Sequence, residues 1–108
     1  MQNIGSISDF ELLLKTNDMV LVYFSHNRCS VCKVLLPKVQ DLLATDFPKV
    51  QMAYCNIEQA PEPAAQNSVF NAPTLLIFVQ GKEYMRFSRN VGLIPLAQAI
   101  ERPYGMLF

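Results

Sequence analysis

Cys29-Ser30-Val31-Cys32 is the stretch of this chain whose residue types and spacing could do chemistry. Two thiols at this spacing can close and reopen a disulfide, or they can supply two ligands to a soft metal ion. The chain holds three cysteines and one histidine. Cys55 lies among apolar residues and is expected to be a buried, inert thiol rather than a third redox group. His26, just ahead of the pair, is read as an exposed loop histidine, with a local acid–base or metal contact as the alternative. Zinc normally takes four tetrahedral ligands, so one C-x-x-C pair argues against a metal site within a single copy. Two chains sharing an ion through their pairs is the remaining metal reading.

The elements around the pair must hold it in place. Met19–Phe24 is an apolar run, and Val20-Leu21-Val22-Tyr23-Phe24 is predicted to be a strand covered on both faces. From Ser30 the apolar spacing turns helical, through Val34, Leu35, Val39, Leu42 and Leu43, with a kink expected at Pro37. Upstream, Ser8 and Glu11 match a capping box opening a short helix that ends near Asn17. Downstream, a strand is predicted at Val50–Asn56 and a short helix at Pro61–Asn67, with its prolines in the first turns. Thr74–Val79 and Glu83–Phe87 read as strands joined by a turn at Gln80-Gly81-Lys82, and a last helix is predicted from near Pro95. The order α-β-α-β-α-β-β-α implies an α/β fold: a mixed sheet of about four strands covered by helices on both faces.

A length of 108 residues with 51% hydrophobic content is expected to form one domain over residues 1–108, with a modest core. Nine basic residues balance nine acidic ones and no basic stripe appears, so neither nucleic acid nor a membrane is an expected partner. Met1-Gln2-Asn3-Ile4-Gly5 lacks the basic start and apolar core of a secretory signal, and the apolar runs are too short to span a bilayer. The expected location is cytoplasmic. In a reducing compartment, two close cysteines plus one left over suggest a working dithiol and a structural thiol.

A strand that delivers two cysteines to the first turn of a helix also supplies a mechanism. The helix end favours a thiolate at the first cysteine, and the second waits one turn away to close the ring. At these residues the chain resembles the thioredoxin family. V-L-V-Y-F-S-H-N-R-C-S-V-C-K-V-L-L-P is similar to the family's strand, redox turn and proline-kinked helix, with Cys29, Cys32, Lys33 and Pro37 matching. N-A-P-T-L-L-I-F-V-Q-G-K resembles the segment that carries the family's cis-proline, which falls on Pro73. Agreement runs over roughly residues 8–101.

The resemblance implies a thioredoxin-like fold and a thiol–disulfide oxidoreductase. Cys29 would attack a substrate disulfide and Cys32 would resolve the mixed disulfide. By the same resemblance, Pro73 packs beside the dithiol and Ala72 offers main-chain hydrogen bonds to a bound peptide; Arg28 and the loop near Arg89, where the chain departs from the family, would complete the substrate groove. The implied partners are disulfide-containing proteins and a thioredoxin reductase or similar electron donor; no bound cofactor is implied. Roles in electron transport and cell redox homeostasis would follow. A second reading keeps the fold as a protein-binding module with slow or incidental redox activity.

The departures from the family concern tuning. The usual W-C-G-P-C is Arg28-Cys29-Ser30-Val31-Cys32 here, and Arg28 either turns toward the thiolate or is solvated. Ser25 stands where the family commonly has tryptophan, and where it often has a glycine after the second hairpin strand this chain reads Phe87-Ser88-Arg89-Asn90, so that Arg89 would add charge or bulk near the substrate groove. Tyr23 and Tyr54 occupy the places of a buried aspartate and its lysine partner. Replacing both leaves neither charge buried alone. Proton transfer would then pass through water, a tyrosine hydroxyl or another nearby group. The apolar ending Pro103-Tyr104-Gly105-Met106-Leu107-Phe108 is expected to pack on its own domain, with a partner-binding patch as the alternative.

Overall fold

The computed structural model describes residues 1–108. Its elements are β1 (Gln2–Asn3), α1 (Ile7–Thr16), β2 (Met19–Ser25), α2 (Ser30–Asp46), β3 (Gln51–Asn56), α3 (Pro61–Gln66), β4 (Thr74–Val79), β5 (Lys82–Ser88) and α4 (Leu93–Leu107). They form a five-stranded sheet in the order β1-β3-β2-β4-β5. The expected α/β fold is present, but the sheet has one strand more than the sequence pattern indicated. Two-residue β1 pairs in parallel with β3 through Gln2↔Ala53 and Asn3↔Tyr54. So short a strand has no alternation to detect.

β2 runs parallel to β3 and antiparallel to β4, and β5 returns antiparallel to β4. Every residue of β2 is buried, as expected of a strand covered on both faces. Its side chains alternate between two cores. Met19, Leu21 and Tyr23 join Leu35, Val39 and Leu43 of α2 and Leu96 and Ile100 of α4. Val20, Val22 and Phe24 join Phe10 and Leu13 of α1 and Ala64 of α3 on the opposite face. β5 is almost wholly exposed and carries Lys82, Glu83 and Arg86, charges that discourage edge-to-edge pairing.

Several boundaries differ from the sequence expectation. The cap of α1 is Ser6, whose hydroxyl accepts from the Asp9 amide, and the Asp9 carboxylate accepts from the Gly5 amide. The capping box read at Ser8 and Glu11 is therefore displaced, because Ile7 and Ser8 are already helical. Val34 does not join the core: it is 61% exposed, on the outer side of α2. Helix α4 starts before Pro95 and continues through the apolar tail. Tyr104 packs edge-on against Phe47 at 5.2 Å and its hydroxyl accepts from the Lys49 amide at 3.2 Å, so the tail folds back on its own chain. No helix is long and apolar enough to cross a membrane.

Candidate active site

The strand directions gather the site. β2 and β3 finish, β4 begins and β5 finishes at one end of the sheet. Residues 26–32 after β2, Glu58 after β3, Ala72-Pro73 before β4 and Arg89 after β5 therefore converge there.

Cys29 and Cys32 are joined by a disulfide, with 5.2 Å between their Cα atoms. Cys29 is the N-cap of the 17-residue α2, and its Sγ accepts from the Cys32 amide at 3.2 Å. On reduction, that amide and the helix dipole stabilise negative charge on Cys29 sulfur. Cys29 is 8% exposed and Cys32 only 2%, so Cys29 is the more accessible of the two.

A groove of about 380 Å³ opens beside Cys29 and is bordered by Arg28, Ala72, Pro73 and Arg89, among others. The structure thus brings together all six site residues singled out from the sequence. The Ala72–Pro73 bond is cis. The Pro73 carbonyl accepts from the Arg89 amide at 3.0 Å, while Ala72 takes part in none of the chain's loop hydrogen bonds. Its N–H and C=O have no hydrogen-bond partner within the chain, the condition that main-chain contact with an extended peptide requires.

Arg28 resolves differently from the thiolate contact weighed above. Its Nη2 donates to Glu58 Oε2 at 2.6 Å, a pair separated by 30 positions and invisible in local sequence. With its guanidinium on Glu58, Arg28 is not the group that steadies a Cys29 thiolate. His26 Nδ1 accepts from the Arg28 amide at 3.2 Å and helps shape the turn.

Tyr23 is fully buried, and its hydroxyl donates to the Cys32 carbonyl at 2.8 Å. This bond ties β2 to the first turn of α2; the carbonyl that Pro37, lacking an N–H, deprives of its helical donor is that of Lys33, one residue further on. Tyr23 also stacks on Tyr54, with ring centres 6.1 Å apart. Burial, then the neighbouring Tyr54, push its ionisation up to about 12. Tyr23 is therefore a neutral hydrogen-bond donor and not a base at ordinary pH. The sequence places Tyr23 in the aspartate's position but does not show this bond, since its acceptor lies nine positions away, across the strand-to-helix turn.

Behind the pair lies a second cavity, of about 220 Å³, lined by Ser25, His26, Cys32, Lys33 and Tyr54, among others. The small Ser25 side chain forms part of its wall, next to Cys32. Cys55 is fully buried, and its Sγ donates to the Ala60 carbonyl at 3.6 Å. Burial raises its ionisation to about 11. It belongs to the core on the opposite face of the sheet from Cys29 and Cys32. The three cysteines cannot share one ion, and no three His, Cys, Asp or Glu side chains gather elsewhere.

Comparison with known proteins agrees with this geometry. The family model described as Thioredoxin matches residues 5–102. The chain is 32% identical over 104 residues to the thioredoxin-like protein YdfQ of Bacillus subtilis, covering 96% of this chain and 92% of that one. It is 41% identical over 75 residues to a thioredoxin of Chlamydia trachomatis, covering 69% and 70%. Fasciola hepatica thioredoxin superposes with a TM-score of 0.85 at 31% identity, over 94% of this chain and 98% of that one. Oxidised mitochondrial thioredoxin 3 of Saccharomyces cerevisiae shares the fold with a TM-score of 0.85 at 22% identity, over 94% of this chain and 93% of that one.

Proposed function

The chain belongs to the thioredoxin family, and from that membership we propose that it is a thiol–disulfide oxidoreductase that reduces or exchanges protein disulfides through Cys29 and Cys32. The observation that carries the reading is the disulfide itself: it caps α2 at the sheet end where four chain segments meet, with the more accessible sulfur beside the Pro73 groove.

In the reducing direction the Cys29 thiolate attacks one sulfur of the substrate disulfide. A Cys29–substrate bond forms, the substrate S–S bond breaks, and the leaving thiolate takes up a proton. Cys32, once deprotonated, attacks Cys29 sulfur, closing the intramolecular disulfide and releasing the second substrate thiol. Two electrons and two protons have moved to the substrate, and an external dithiol donor, a reductase or similar partner, restores the pair. Ala72 is assigned to main-chain contact with the substrate, Pro73 to its packing, and Arg28 and Arg89 to the groove walls.

Tyr23 keeps its proton through this cycle, because its hydroxyl is committed to the Cys32 carbonyl and its ionisation lies near 12. The proton of Cys32 is assigned to water entering by the cavity beside Ser25 and His26. Residues 1–108 act in this reading as one thioredoxin-like domain, in the cytoplasm and in cellular electron transport.

Replacing Cys32 with Ala tests the assignment. Reduced C32A should trap substrates as mixed disulfides on Cys29, and wild type should turn over insulin disulfides faster than a small dithiol of equal thiol concentration. Wild-type turnover no faster than that dithiol, with no adduct on Cys29, would favour the binding-module reading.

A further inference from the structure

We propose that the groove beside Cys29 selects disulfides flanked by an acidic side chain, with Arg89 as the residue that reads this charge. The inference rests on the dithiol reading above and names the substrate class of the same site.

The groove continues past the pair. The 380 Å³ space beside Cys29 and a neighbouring one of about 360 Å³ share Val31, Arg89 and Asn90 as walls, so they form one channel. Val31 is 58% exposed and Val91 and Leu35 line the far part, so the channel is cationic near the sulfur and apolar beyond it. No Asp or Glu borders either part, although the chain as a whole has no net charge. The positive character is therefore local to the site.

The two arginines are not equivalent. Arg28 turns toward the β3 side, where its guanidinium meets the Glu58 carboxylate at 2.6 Å. Arg89 follows β5, on the other side of β2 and β4, and belongs to neither ion pair of the chain. It is the uncompensated cation of the channel. Its backbone is pinned by the 3.0 Å bond to the Pro73 carbonyl, which roots the side chain next to the segment assigned to the substrate main chain. The φ of Arg89 is 65°, a left-handed conformation that glycine takes freely and an arginine takes only at a cost. A long cationic side chain held there, exposed at the rim of a site, is a strained position with a functional reading.

A charge at the mouth of a reactive site acts mainly on encounter and orientation, and it discriminates by repulsion as well as attraction. An acidic residue beside the attacked cysteine would meet Arg89 while the main chain lies along Ala72, and a basic one would be repelled.

The test uses three synthetic disulfide peptides, identical except for Glu, Gln or Lys beside the attacked cysteine. Their second-order rate constants with the reduced full chain are compared at low and high ionic strength. The Glu peptide should react about tenfold faster than the Lys peptide at low salt, and the ratio should shrink toward one at high salt. Arg89→Gln and Arg89→Gly should each reduce the low-salt ratio to about twofold or less, and Arg89→Lys should restore most of it. The glycine variant suits the left-handed backbone and so guards against a folding defect. Equal rates for the Glu and Lys peptides, or a ratio that survives both Arg89 substitutions, would overturn the proposal. Failure to reduce even the Gln peptide faster than dithiothreitol would overturn the dithiol reading instead, so the two failures are told apart.

Discussion

Tyr23→Phe separates a structural tyrosine from a catalytic one. The substitution keeps the ring, its stack on Tyr54 and its place among Leu21, Leu75 and the first turn of α2. It removes one group, the hydroxyl that donates to the Cys32 carbonyl at 2.8 Å from a fully buried position. A buried hydrogen bond contributes about 1 kcal/mol net, and an acceptor left short of a donor costs about 1–3 kcal/mol more when fully unsatisfied. The Cys32 carbonyl still sits in a helix, so a total near 1–2 kcal/mol is expected. For a domain of this size that is a fall in Tm of about 5–10 °C, or a matching drop in the urea midpoint with an unchanged slope. Turnover behaves differently. A phenol that ionises near 12 carries no proton away at neutral pH, so the rate of protein-disulfide reduction between pH 6 and 8 should stay within about twofold of wild type. The paired assays are urea unfolding of the oxidised protein and insulin-type turnover with a chemical dithiol as donor. A turnover loss of tenfold or more at wild-type stability would refute the reasoning, since it would make the hydroxyl the proton carrier. An unchanged midpoint would show that the bond from Tyr23 to the first turn of α2 contributes nothing.

Alkali should destabilise the reduced and oxidised forms alike. Cys55 and Tyr23 ionise near 11 and 12 in the folded chain, against 9.0 and 10.0 without burial. Between those values the unfolded chain has released protons that the folded chain keeps, so stability is complete below pH 9 and falls as pH rises toward 12; urea midpoints measured across that range check it. Midpoints that hold steady to pH 11 would contradict the burial of both groups. Cys55 should resist iodoacetamide in the native reduced protein while Cys29 reacts, and should be labelled only in denaturant; mass spectrometry of the modified cysteines decides this. Arg86 chelates Glu83 through two bonds and also donates to the Asn67 and Ser68 carbonyls, tying β5 to the turn that leads to Ala72-Pro73. Arg86→Met should lower Tm by a few degrees, about 1 kcal/mol once the partly exposed ion pair is discounted, and speed amide exchange over residues 67–73. Because Arg86 holds the Glu83 carboxyl below its usual range, that pair's contribution is present above the unfolded carboxyl value and is lost as the pH falls through the lowered one. Acid titration of wild type against Arg86→Met should show this difference narrowing.

Local patterns made much of the molecule legible. β2 announces itself as an unbroken apolar run, and β4 does the same, because a strand covered on both faces needs no polar position. The turn at Gln80-Gly81 is readable for a related reason: both residues take positive φ, which that dipeptide can supply between two strands. The boundaries that failed lacked such signals. Ser6 and Ser8 are equally good caps in isolation, and which one opens α1 depends on how the chain enters from β1.

The chemistry divides along the same line. The order of residue types alone determined that two thiols stand at a strand-to-helix junction, that a proline lies inside the helix behind them, and that an A-P-T segment precedes a later strand. Those are covalent and local facts, set by spacing along the chain. Only the tertiary structure decided where charges and protons go. Arg28 is spent on Glu58 across 30 positions, Tyr23 is locked onto the Cys32 carbonyl, and Arg89 is left as the free cation of the groove because the sheet brings the end of β5 beside Pro73. Hydrogen bonds and ion pairs act over a few ångströms of space, whatever the distance in sequence, so the partners of a polar group are settled only when the chain has folded.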